Sequence, residues 1–115
     1  MILELSKSQK KIARSVIQIG LMREFRAALE DFEKLIQEWK EKKLDDRGAY
    51  HKMYEAVESH DKHIARRYDG MRGSDYVPIM VCQIFEGVIT KDDILEFAPE
   101  VRENLLKLVE MKKNF

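Results

Sequence analysis

The chain has 115 residues, of which 44% are apolar and 37% charged. That is enough apolar material for one self-supporting core and too little length for two ordinary domains, so a single helical domain over 1–115 is expected and disorder is excluded. The 21 basic residues balance the 21 acidic ones, which leaves no global field to attract nucleic acid or an anionic membrane.

The first segment carries the strongest pattern. Ile12, Val16, Ile19, Met22, Phe25, Leu29, Phe32, Ile36 and Trp39 recur at steps of three and four, the mark of an amphipathic helix. Ser6 and Gln9 have the spacing of a capping box, and Lys40, Lys42 and Lys43 suit the negative end of a helix. These signals predict a helix over 7–43, about 54 Å long. Gly20 is its one irregularity, costing about 1 kcal/mol against alanine.

Residues 44–48 read as a turn, with Asp45 and Asp46 as candidate N-caps. The second helix carries Tyr50, Met53, Tyr54, Val57, Ile64, Ala65 and Tyr68 and ends at Gly70. Residues 69–74 (Asp-Gly-Met-Arg-Gly-Ser) form a loop. A third helix follows over about 75–86, with Ser74 as its cap and Pro78 in its first turn. It is apolar nearly all round, which predicts central burial. Thr90 starts a short helix through Leu95 and Phe97, and Pro99 opens the last one. No segment alternates in the manner of a strand. The expected fold class is therefore all-α: a small bundle built on one long N-terminal helix, with three or four shorter helices packed along it.

Cys82 is the only cysteine, so no intrachain disulfide can form and a reducing compartment fits. The longest apolar run, 76–82, is far short of the ~20 residues of a membrane span, and residues 1–5 are too short for a secretory core. A cytoplasmic location without membrane contact is expected.

Four groups of side chains invite a functional reading. The histidines of the second helix come first. His60-Asp61 has the form of the dyad of HD-type metal phosphohydrolases, with His51 upstream. Nine residues at about 100° each put His51 and His60 on opposite sides of the helix, so they cannot share an ion. His60 and His63, three apart, could share one. The alternative is a core histidine beside a solvated one.

Arg66, Arg67 and Arg72 gather near the end of the same helix and could hold a phosphate, though cations there also suit the helix dipole unaided. Lys7, Lys10, Lys11 and Arg14 crowd a helix start, where the dipole opposes them and an anion would help. No aromatic side chains interleave this patch, which argues against nucleic acid. The fourth group is the apolar ridge itself: Phe32, Ile36 and Trp39 towards one end and Ile12 and Val16 towards the other need a cover.

Nucleophilic catalysis is not indicated and no phosphate-loop or cofactor signature is present, so no cofactor is expected and the balance leans against catalysis. The leading expectation is a helical assembly module that forms a homodimer through the first helix, or meets another protein there. The alternatives are a small metal- or phosphate-dependent enzyme or ligand-binding protein using the second helix, and nucleic-acid binding through the basic N-terminal patch.

Overall fold

A computed structural model describes residues 3–114. Helix α1 runs Lys7–Lys40, α2 Asp46–Tyr68, α3 Tyr76–Phe85 and α4 Pro99–Lys113, with 3-10 turns at Gly73–Asp75 and Lys91–Ile94. The fold is all-α with a long first helix, and no strand occurs among the described residues. No described helix is long and apolar enough to cross a membrane.

The helix ends follow local chemistry. Ser6 Oγ accepts from the Gln9 amide at 3.2 Å and starts α1. The Gln9 side chain does not complete a box with Ser6; its Oε1 accepts from the Ala98 amide at 3.1 Å. Helix α1 stops at Lys40, three residues before the expected end. Lys43 N–H bonds to Glu38 O and Lys42 N–H to Trp39 O, with Lys42 in the left-handed region at φ 63°. This is a Schellman closure with lysine where glycine usually sits. Asp45 caps α2, its Oδ1 accepting from Gly48 N–H at 2.7 Å. Ser74 does not cap α3; the side-chain bond nearby belongs to the preceding 3-10 turn, where Asp75 Oδ2 accepts from Arg72 N–H at 2.8 Å. Thr90 donates from both N and Oγ1 to Asp93 Oδ2, which opens the second 3-10 turn.

The chain divides into two compact units, one of them Arg23–Asp69 and the other formed by the remainder. Both contain part of α1. In the larger unit the N-terminal part of α1 joins α3, α4 and the turns around a core that includes Ile17, Met80, Ile89, Ile94, Phe97 and Leu105, all but closed to solvent. Gly20 belongs here. A β-carbon at that position would overlap the amide of the fully buried Gln83 and meet Ile89 Cγ2 at 3.1 Å. Glycine lets the Gln83 side chain reach α1, where Nε2 donates to Ile17 O at 3.1 Å. The smaller unit is a hairpin of the C-terminal part of α1 and α2.

Candidate functional site

The hairpin holds the densest polar cluster. Glu24, on α1, is half-buried and surrounded by donors from the last turns of α2. His63 Nε2 lies 2.6 Å and Arg67 Nη1 3.1 Å from Glu24 Oε1, and the Tyr68 hydroxyl donates to Oε2. Burial alone would raise the Glu24 pKa. The hydrogen bonds from Tyr68 and His63 and the charges of Arg67 and His63 outweigh it and hold the carboxyl below its ordinary value. One turn earlier, His60 Nε2 donates to the backbone carbonyl of Glu24 at 3.2 Å, with its ring against Phe25 and Phe32. The cluster is a clasp between the two helices, and both of its carboxylate oxygens are engaged.

The sequence gives one direct hint of this residue. Glu24 falls between Leu21 and Ala28 on the covered side of α1, where a carboxylate needs partners.

The predicted site residues scatter accordingly. His60 and His63 do face the same neighbour, but each Nε2 meets a different acceptor of Glu24. Arg66 is exposed while Arg67 is turned inward to Glu24, so the two arginines part company. Arg72 is exposed in its loop. Lys7, Lys11 and Arg14 are exposed on α1, whereas Lys10 lies against the loop, its Nζ 3.2 Å from where a Gly73 β-carbon would stand. A cavity of about 440 Å³ adjoins it, bounded by Leu3, Leu5, Ser74 and Val77 among others. Val16, expected at an interface, is 3% exposed and belongs to the core, so it cannot serve an outer surface; Ile12 is half-buried. Phe32 is half-buried, and Ile36 and Trp39 are each 41% exposed.

Those last residues belong to a larger feature. The hairpin seam is marked by buried and half-buried positions: Ala28, Phe32 and Leu35 on α1, and Ala49, Met53, Ala56 and His60 on α2. About a quarter-turn from that seam, Phe25, Leu29 and Ile36 line up along α1, and Tyr50, Tyr54 and Val57 along α2. Because the helices run antiparallel and the offset has the same rotational sense in both, the two rows lie on one side of the hairpin. Ile36, Trp39, Tyr50 and Met53 accordingly border one hollow of about 260 Å³ near the connecting turn. Trp39 is fixed there by its Nε1–H, which donates to Asp46 Oδ1 at 2.8 Å. Leu29 is 64% and Tyr54 62% exposed.

Cys82 is half-buried on α3. The sequence matches no family model, no curated protein and no solved structure.

Proposed function

We propose that this protein is a helical assembly module that self-associates by burying the apolar side of its α1–α2 hairpin. One observation carries the reading: seven of the twelve large apolar side chains found exposed among the described residues fall within Arg23–Asp69. Scattered exposed apolar residues need no explanation, but a contiguous row on two neighbouring helices does. At about 25 cal/mol per Å², leaving such a row in water costs several kcal/mol that a partner would recover. The face, from Phe25 to Trp39, is roughly 21 Å long and two helices wide. At about 10 Å per helix its footprint is roughly 400 Å², the scale of a weak, concentration-dependent contact and about half that of a standard interface.

The polar cluster gives an enzyme reading less support. Its carboxylate is engaged by His63, Arg67 and Tyr68, and its histidines are turned to Glu24. Sedimentation at two concentrations tests the proposal. The native chain is expected to shift from monomer to dimer as concentration rises, and Leu29→Asp to remain monomeric with unchanged helicity. A native chain that stays monomeric at high micromolar concentration removes the proposal.

A further inference from the structure

Resting on that reading, we infer that the occupant of the face is a second copy laid antiparallel, with α2 against the partner's α2, and that the outer rim of α2 encodes the direction. This rim is formed by Arg47, His51, Tyr54, Glu58 and Asp61, spaced four, three, four and three apart and all exposed. Its first end carries the Arg47 guanidinium, and its last turns carry the Glu58 and Asp61 carboxylates. A helix with that order repels a parallel copy of itself and attracts an antiparallel one.

The symmetry centres on Tyr54. Arg47 and Asp61 stand seven residues to either side, so a two-fold axis there sets Arg47 opposite the partner's Asp61. His51 then approaches the partner's Glu58. Within the chain, His51 bonds Glu55 at 2.8 Å and Lys62 bonds Glu58 at 2.9 Å, both as exposed pairs one helical turn apart. Such pairs are weak enough to be shared or exchanged at an interface rim. Among the described residues, Arg47 and Asp61 make no ion pair of their own.

Helix α1 fits the same axis. Glu24 is level with His63, and Trp39 with Asp46, so Tyr54 is level with Phe32 on α1. Antiparallel stacking about that level carries Leu29 towards the side of the hollow bordered by the partner's Leu35 and the partner's Ile36. The most exposed aliphatic side chain of the face thereby meets a concavity on the same face of the second copy. The other two-fold arrangement lays each α2 on the partner's α1. It sets Arg47 near the partner's Lys40, because both flank the same short turn, and like charges there disfavour it.

Charge reversal and cross-linking test this orientation. Arg47→Glu and Asp61→Arg are each expected to weaken self-association roughly tenfold by sedimentation equilibrium, and the double variant to return within about twofold of the native constant. In a Cys82→Ala background, Tyr54→Cys is expected to form a disulfide-linked dimer on mild oxidation, whereas Arg47→Cys is not. A dimer indifferent to both reversals, or a double variant weaker than either single one, overturns the antiparallel arrangement while leaving assembly intact. So does efficient cross-linking at position 47 without any at position 54. A monomeric native chain overturns the assembly reading itself, and this inference with it.

Discussion

At the scale of single residues, two side chains show how a local cost is offset elsewhere. Glu24 is a carboxylate on the covered side of an amphipathic helix, tolerable only because three donors converge on it. Removing one member of such a cluster leaves the others partly buried without their counter-charge. Glu24→Ala is therefore expected to lower stability by about 2–4 kcal/mol in urea melts, with the loss felt in the hairpin. The pH dependence has a definite sign. A carboxyl whose folded pKa lies below its unfolded value stabilises the fold above the ordinary glutamate range, and that contribution disappears as pH falls through the folded pKa. Glu24→Gln should flatten the acid side of a stability–pH curve below about 4.5. An unchanged acid limb would show that the clasp contributes nothing. Gly20 is the second case. Helix propensity predicts that Gly20→Ala stabilises by about 1 kcal/mol. The Gln83 amide occupies the space a β-carbon needs, so a loss of about 1–3 kcal/mol is expected instead. The sign of the measured change decides between propensity and packing.

At the scale of elements, starts and stops were legible because they depend on a few neighbouring residues. Ser6, Asp45, Gly70 and Pro99 each mark a boundary within a residue or two of where the structure has one. The end of α1 was not legible, because three lysines suit a helix terminus equally and nothing in their order reveals that Lys42 takes the glycine position of a Schellman closure. Lys42→Gly is expected to relieve that strain and gain several tenths of a kcal/mol to about 1, against the added chain entropy of glycine. A lowered melting temperature would show that the Lys42 side chain contributes more than its backbone conformation costs. The ridge from Ile12 to Trp39 misled for a different reason. Its steps average about 3.4 residues, below the 3.6 of the helix, so it drifts roughly half a turn around α1. Its early members, such as Val16, fall in the core, while Leu29 and Ile36 emerge from the seam. Apart from Val16 and Ile17, the covered side is written in inconspicuous residues: Ala13, Gly20, Glu24 and Ala28. Small residues and one paired carboxylate carry little hydrophobic signal, which is why the polar cluster escaped a reading based on apolar periodicity.

Across the whole molecule, burial is distributed unevenly between the two units. Of the buried apolar residues among those described, only Ala28 and Tyr68 come from Arg23–Asp69. The rest of the chain supplies Ile17, Met80, Phe97, Leu105 and the others. A two-helix hairpin with so thin a core is close to the size, about 40 residues, below which chains need outside support. Its stability should accordingly depend on whatever covers its apolar side, whereas that of the other unit should not. If a second copy is the cover, mass action adds about 2.7 kcal/mol of stability at a concentration one hundred times the dissociation constant. Hydrogen exchange resolved by residue measures this directly, since local openings are reported separately for each unit. Amide protection along α2 is expected to rise with protein concentration in the native chain and to stay flat in Leu29→Asp. Protection along α3 and α4 should be the same in both proteins at every concentration. Equal concentration dependence in α2 and α4 would mean that the units open together. No dependence in α2 would mean that the hairpin stands without a partner, and that its exposed row of Phe25, Leu29, Ile36, Tyr50, Tyr54 and Val57 has a different origin from the one proposed here.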